Sequence, residues 1–323
     1  MAWIFISLFS YFVNAGVYTA DKFLLSKRYH SSAVYAFYVG IWSVFNLVLL
    51  FLDPFWPNPA QLLMSMSAGL LFMGTLIFWY KALHQSEATR VVPIAGALIP
   101  IFTLLLSYVF LGEILTERQF LAFFVLVIGG ILVSVKEARF YVIKEIYSSI
   151  RGAFGSYLGN IHAHYRPEKR LIINSIIAAF LFASYYVWIK YVFLHQPFIG
   201  GFVFSRMGSF VGALLIFSIP YWRKEIKKKQ KTASAPKNLS FFLSVRLSGA
   251  LAFILLNWAI SMGNVALINS LRGTQYVFLL IIVLFLSIKF PKVLKEEFRG
   301  GVLMQKSLGV ALIAIGLYML LSV

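Results

Sequence analysis

The chain has 323 residues, of which 60% are apolar and 12% are charged, against roughly 25% charged residues in an ordinary soluble domain. A soluble fold would leave much of this apolar surface in water, so the composition excludes a soluble protein and predicts that lipid is the main solvent. The formal net charge of +18 would indicate nucleic acid if it lay on a polar domain, but here the basic residues form short clusters between apolar runs. That pattern indicates topology signals and contact with anionic headgroups, and no nucleic-acid partner.

Ten apolar segments are long enough to cross a bilayer, which takes about 20 residues per helix. The predicted spans are 2–20, 32–52, 62–83, 88–111, 119–136, 171–193, 199–222, 241–262, 264–287 and 305–322. The first segment lacks the charged start and cleavage pattern of a signal peptide, so we expect it to be retained as a helix. The predicted fold class is therefore an all-α integral membrane protein with ten transmembrane helices.

The connections between the predicted spans are of two kinds. The first is short and carries helix breakers, as in Asp53–Pro59 and Gln196–Pro197, because proline lacks a backbone donor and clashes with the preceding turn. The second is long and basic. Residues 137–170 interleave apolar and basic side chains and are either an amphipathic surface helix or a solvated linker, and residues 223–238 predict a disordered loop.

The chain contains an internal repeat. An offset of about 168 places Lys22 on Lys190 and Gly40 on Gly208, and an offset of about 187 places Gly129 on Gly316. The repeat predicts one five-helix unit over 1–136, the linker 137–170, and a second unit over 171–323. Five crossings per unit make the second unit inverted, and inverted repeats are typical of secondary transporters that hold their substrate near the midplane.

The sequence resembles the EamA-type carriers of the drug/metabolite transporter superfamily. The resemblance rests on Glu87–Pro93, Ile99–Thr103, Leu111–Thr116 and the glycine-rich Ile128–Gly130. In that family a proline-containing fourth helix ends in a Leu-Gly-Glu turn. The second half departs from the pattern at Lys295–Glu297 and at Val277. The resemblance implies a carrier of small solutes in two five-helix units, and it names no cargo.

Physical chemistry gives the motif residues roles of their own. Pro93 and Pro100 each remove a backbone donor from one helix, and neighbouring helices or a wet cavity must cover that defect in lipid. We therefore expect this helix to line a central cavity, the alternative being a kinked packing helix. Leu111-Gly112-Glu113 predicts a helix end with a glycine turn, at which Glu113 caps the next helix or binds backbone amides.

Two arginines lie within predicted spans, where a charge costs at least about 2.5–3.5 kcal/mol. Arg272 has Asn269 and Tyr276 on its face at helical spacing, so we predict that it faces a cavity between the halves and binds the solute. The alternative is a structural arginine bonded to helix carbonyls. Arg206 is a weaker candidate, because Gly208, Gly212 and Ala213 indicate close helix packing around it.

Further polar groups complete the candidate set for substrate binding. They are Gln275, Asn257, Asn14, Tyr18 and Tyr80, each of which is also typical of interhelical hydrogen bonding or of an interfacial aromatic residue.

No pattern in the chain indicates an enzyme, a cofactor or a metal site. There is no cysteine, His162 and His164 have no third ligand in view, and no phosphate loop ends in Gly-Lys-Ser/Thr. The predicted function is a secondary transporter of a small organic solute by alternating access. The alternatives are a membrane-embedded lipid-acting enzyme, which would need converging acids or histidines in the spans, and a non-transporting scaffold.

Charge also predicts the orientation in the plasma membrane. The loops after the odd-numbered spans carry most of the lysines and arginines, whereas the opposite side holds little beyond Arg118. Lysine and arginine accumulate on the cytoplasmic side. The basic loops are therefore predicted in the cytoplasm, against anionic headgroups, and both termini outside, although ten-helix members of the family are usually drawn with both termini inside.

Overall fold

The structure, a computed structural model, describes residues 1–24, 32–85, 88–135, 166–227, 239–289 and 300–322. In these ranges every regular element is a helix. The helices are α1 (Ala2–Leu24), α2 (Ser32–Trp42) with a 3-10 continuation (Ser43–Phe51), α3 (Pro59–Gln85), α4 (Ala88–Leu111), α5 (Glu117–Ser134), α6 (Arg166–His195), α7 (Phe198–Ser218), α8 (Pro220–Lys227), α9 (Leu239–Met262), α10 (Val265–Ser270), α11 (Gly273–Lys289) and α12 (Gly300–Leu321).

Nine of the predicted spans correspond to described segments long and apolar enough to cross a membrane. The exception is the second, predicted over 32–52, where the apolar helix is the shorter Ala36–Phe51 and the α-helix changes to 3-10 geometry at Ser43. Ser43 Oγ donates to the Val39 carbonyl and the Asn46 amide donates to the Ser43 carbonyl. Such local side-chain bonds compete with the regular backbone ladder.

The ninth span, predicted over 264–287, corresponds to the candidate span Val265–Leu286, in which a turn at Leu271–Arg272 separates α10 from α11. One sequence prediction about continuity is wrong. The segment 223–238, predicted as a disordered loop, begins inside helix α8. Pro220 opens that helix at a position where its missing donor costs nothing, and Trp222 and Ile226 pack on the core. Residues 228–238 lie outside the described residues.

The predicted surface helix of 137–170 is described only at its end. Residues 136–165 lie outside the described ranges, and α6 already begins at Arg166, earlier than the predicted start at 171.

Close helix packing is carried by small residues. Helix α3 lies between α6 and α7, α1 packs on α9 and α11, α4 packs on α6, and α5 pairs with α12. A Cβ on Gly69 of α3 would lie 1.9 Å from the Ser205 carbonyl oxygen, and one on Gly208 of α7 would lie 2.1 Å from the Met66 carbonyl oxygen. Backbones that approach this closely let van der Waals contact hold helices together in lipid.

Several turns meet at one end of the bundle, which we call the turn end. Phe55 lies against Gly200, Gln61 Nε2 donates to the His195 carbonyl at 3.1 Å, and Gln196 Nε2 donates to Ser65 Oγ at 2.7 Å. Arg118 Nη1 donates to the Ser322 carbonyl at 3.0 Å. The opposite end, to which α1, α3, α5 and α11 run and at which α6 and α12 begin, is called the basic end.

The Leu-Gly-Glu turn between α4 and α5 forms as the sequence predicts. Helix α4 ends at Leu111, and Gly112 has φ +65°, a left-handed conformation that glycine adopts without a Cβ penalty. The next helix is capped by Thr116 and Gln119, each of which bonds the other's backbone. Glu113 is therefore not the cap of α5, and it points elsewhere.

Candidate functional site

Arg272 lies at the break between α10 and α11. Asn264 caps the start of α10 by accepting bonds from Ala266 N and Leu267 N at 3.0 and 3.1 Å, and the helix ends after one and a half turns at Ser270. Gly273, the first residue of α11, packs on Gly130 of α5 with no room for a Cβ. The chain thus places a cation at a broken helix, an arrangement that transporters use where they bind substrate.

Phenols surround the Arg272 guanidinium. Its Nη2 donates to Tyr186 Oη at 2.8 Å, and its other electrostatic neighbours are Tyr11, Tyr276 and Tyr18. Tyr11 in turn donates to the Ile268 carbonyl at 3.0 Å. The tyrosine cluster, defined as Tyr11, Tyr18, Tyr186 and Tyr276, therefore brings α1, α6 and α11 to one arginine.

Arg206 has different surroundings. Its guanidinium carbon lies 4.4 Å from the Phe72 ring centroid and 4.7 Å from that of Phe253, with Phe202 and Tyr185 at 5.7 and 6.0 Å. The side chain is only 4% exposed. Ring faces attract a desolvated cation by about 2 kcal/mol each at best, so four rings from α3, α6, α7 and α9 stabilise this charge in place of a carboxylate.

A chain of hydrogen bonds leads away from Arg206. Its Nη2 donates to Tyr185 Oη at 3.3 Å, Tyr185 donates to Asn257 Oδ1 at 3.2 Å, and Asn257 donates to the Phe253 carbonyl at 2.9 Å. The small residues beside Arg206 pack as the sequence predicts. These bonds satisfy Asn257 and fix Tyr185, so this cluster has the contacts of a helix junction.

The remaining predicted residues take varied positions. Asn269 is fully buried and donates to the Val265 carbonyl at 3.0 Å, whereas its Oδ1 has no partner. Gln275, Asn14 and Tyr80 are half-buried, and Pro100 is buried. Helix α4 runs through both predicted prolines, and the side chain of Pro93 lies outside the described residues.

The sequence analysis did not propose Tyr11, Tyr185 or Tyr186 as site residues, and it used Lys190 only as a marker of the repeat. The adjacent pair Tyr185 and Tyr186 inside a predicted span was the signal that could have pointed to them. Adjacent residues point about 100° apart on a helix, so Tyr185 faces Arg206 while Tyr186 faces Arg272.

Exposure within the tyrosine cluster increases toward the basic end. Tyr11 is 1% exposed, whereas Tyr18, two turns later on α1 and close to the same guanidinium, is 52% exposed. Helix contacts also differ: α3 packs along α7, whereas the described residues of α2 and α9 make no more than marginal contact.

Two charged side chains hold the α9–α10 turn, which we call the charged clamp. Lys190 Nζ donates to the Gly263 and Ser261 carbonyls at 2.9 and 3.2 Å, at the end of α9. Glu113 Oε2 accepts from Val265 N at 3.3 Å, at the start of α10. A cation at a helix C-terminus and an anion at an N-terminus are each stabilising. Glu113 therefore binds a backbone amide, the second of its two predicted roles.

We expect Glu113→Gln to change the dependence of stability on pH. Burial raises the pKa of the Glu113 carboxyl above its usual 4.5, against the opposing effects of Lys190 and the Val265 amide. The folded protein then holds more protons than the unfolded chain just above pH 4.5, so stability falls as pH rises through that window. Melting temperatures in detergent should fall less steeply with pH in the variant. Glu117→Gln, exposed on the next helix, is the control, and equal slopes in all three proteins would refute the expectation.

Comparisons with known proteins agree with this architecture. Residues 1–135 match the model of the EamA-like transporter family. The predicted recognition is therefore confirmed over the first half, and the family belongs to the drug/metabolite transporter superfamily. Its members are generally transporters rather than enzymes and typically handle small solutes.

A solved crystal structure of a protein 16% identical in sequence matches with a TM-score of 0.63 and covers 98% of this chain and 98% of its own. At that identity the likeness shows a shared fold. The comparison with curated proteins gave no match.

Proposed function

We propose that this protein is a secondary transporter that carries a small organic solute by alternating access, with Arg272 and the tyrosine cluster as the substrate site. The observation that carries the proposal is the position of Arg272: a half-buried cation between two helices, α10 and α11, facing phenols from three helices. Charge at membrane depth is rare and marks substrate pathways. The match of residues 1–135 to a transporter family also supports the proposal.

The unequal packing of the two ends supports alternating access. Helices α3 and α7 meet through Gly69 and Gly208, and Gln196 and the charged clamp close the same end. The matching surfaces of α2 and α9 stay apart in their described residues. Two halves related as inverted repeats can exchange these roles, which would open the turn end and close the basic end around the same site.

Counterflow in proteoliposomes tests the proposal. Vesicles loaded with an unlabelled solute should accumulate the labelled solute transiently above its outside concentration, since a carrier exchanges one for the other. A panel of organic anions, amino acids, nucleosides and sugars identifies the cargo. A channel would equilibrate the label without overshoot, and a scaffold would move none of the panel. Either result would contradict the proposed function.

Charge supports an orientation with the basic end in the cytoplasm. Helix α8, with Arg223, Lys224 and Lys227, begins the connection between α7 and α9 at that end. The chain has no cysteine, so a single cysteine introduced in 223–238 is the only thiol present. We predict that an impermeant thiol reagent leaves it unlabelled on intact cells and labels it after permeabilisation. Labelling from outside would place the basic end and its loops on the outer face.

A further inference from the structure

Among the residues that the structure describes, no carboxylate balances the charge of Arg272. All 11 acidic residues of the chain lie at the ends of the candidate spans or beyond them, and the electrostatic neighbours of the guanidinium are phenols. A phenol carries no formal charge with which to balance the guanidinium. A desolvated cation with neutral neighbours favours an anion that arrives from outside the protein.

Arg272 also keeps a donor free for such an anion. Its Nε is buried and has no hydrogen-bond partner, while Nη2 bonds Tyr186. Nε and the adjacent Nη2 form one edge of the planar guanidinium, and this edge matches the two oxygens of a carboxylate. Tyr11 and Tyr276 are also electrostatic neighbours of the guanidinium.

The site supplies a single positive charge. Arg206, the other arginine inside the bundle, is enclosed by its four rings and 4% exposed. A dianion such as a phosphate monoester would therefore bring one uncompensated negative charge into a low-dielectric site, which is unfavourable. An ammonium group would meet no acidic side chain within the spans.

The wall beside the arginine is aromatic. Tyr186 stacks on Phe182 with ring centroids 6.1 Å apart, and Phe182 meets Trp79 edge-on at 5.7 Å. These rings lead from the guanidinium toward α3 and offer apolar surface to the rest of a solute. Apolar contact of this kind is typical of binding sites in which a few polar groups fix the orientation.

We propose that the substrate is an organic monocarboxylate with an uncharged, apolar body, whose carboxylate binds the Nε edge of Arg272 among the phenols of the tyrosine cluster. That this substrate is transported rests on the proposed carrier function. That it binds at Arg272 is argued from the geometry of Arg272 alone.

The inference is tested with sets of ligands that share one apolar body and differ only in the head group. Thermal stabilisation of the purified protein is measured with butyrate, benzoate and indole-3-acetate, and with the amide and the phosphate monoester or phosphonate built on each body. A ligand that binds only the folded state raises the melting temperature. We expect at least one carboxylate to stabilise the protein, with at least tenfold weaker binding of its amide and its phosphorus analogue. Arg272→Gln should abolish the effect, and Arg118→Gln, an exposed arginine at the turn end, should leave it intact.

The outcomes separate the inference from the proposed function. The inference is wrong if no carboxylate stabilises the protein, or if the amide or phosphorus analogue binds as tightly as the carboxylate. Counterflow of another solute would then still support the proposed carrier function. If a carboxylate binds through Arg272 but shows no counterflow, the site is correct and the carrier function fails. Stabilisation that survives Arg272→Gln would overturn the assignment of the site.

Discussion

Gly69→Ala is expected to reduce solute uptake at least tenfold. The added Cβ would lie 1.9 Å from the Ser205 carbonyl oxygen and 2.5 Å from Ser209 N, both backbone atoms that no side-chain rotation can move. Overpacking of this kind costs about 1–3 kcal/mol, and here the cost falls on the conformation in which α3 and α7 are in contact. The equilibrium should shift away from closure of the turn end, because each 1.4 kcal/mol is about a tenfold change in population.

Gly74→Ala on the same helix is the matched control, since a Cβ there would meet nothing within 4 Å. Initial uptake rates in proteoliposomes, normalised to reconstituted protein, compare the two variants. If Gly69→Ala carries the solute as fast as Gly74→Ala does, then contact between α3 and α7 is not part of the transport cycle.

Arg272→Gln should weaken binding of the solute without unfolding the protein. Hydrogen bonds to charged groups are worth about 1.5–3 kcal/mol, which corresponds to roughly a ten- to hundredfold loss of affinity. Folding should not be weakened, because the guanidinium is partly desolvated and forms no ion pair with a described carboxylate that its removal could break. We therefore expect weaker uptake together with an equal or higher melting temperature.

The Arg272→Gln variant distinguishes a substrate-binding role from a structural role, because the two roles predict different changes in affinity and melting temperature. A structural arginine that only joined helices would lower the melting temperature when replaced. Arg118→Gln provides the control for loss of an arginine elsewhere, since Arg118 is exposed and bonds the chain terminus. A lower melting temperature with unchanged affinity in the surviving folded protein would assign Arg272 a purely structural role.

Much of the fold was predictable because lipid imposes strict rules on sequence. Apolar segments of sufficient length gave nine of the ten predicted spans, and Gly112 marked the turn after α4. The turn at Leu271–Arg272 was not predicted, because it lies in an apolar run with no proline. Gly273, directly after it, packs against Gly130, a tertiary contact that no local pattern displays.

The candidate site was predictable in part for the same reason. Arg272 stands out because charge is costly in lipid. The tyrosines around Arg272 do not stand out in the sequence, because tyrosines are common at membrane interfaces. Only the fold places Tyr11 and Tyr186 beside the arginine. The role of Lys190 in the charged clamp depends on α6 meeting the α9–α10 turn. The two-repeat arrangement remains a prediction.

Thiol accessibility at both ends of one protein tests alternating access most directly. Ser65→Cys reports on the turn end, where Ser65 is fully buried under Gln196, and Tyr18→Cys reports on the opening at the basic end. Each is measured alone and together with Gly69→Ala or the Gly74→Ala control. With Gly69→Ala, the account predicts faster reaction at position 65 and slower reaction at position 18, because opening one end closes the other. If both rates rise together, or if neither differs from the Gly74→Ala background, the two ends are not coupled and alternating access is contradicted.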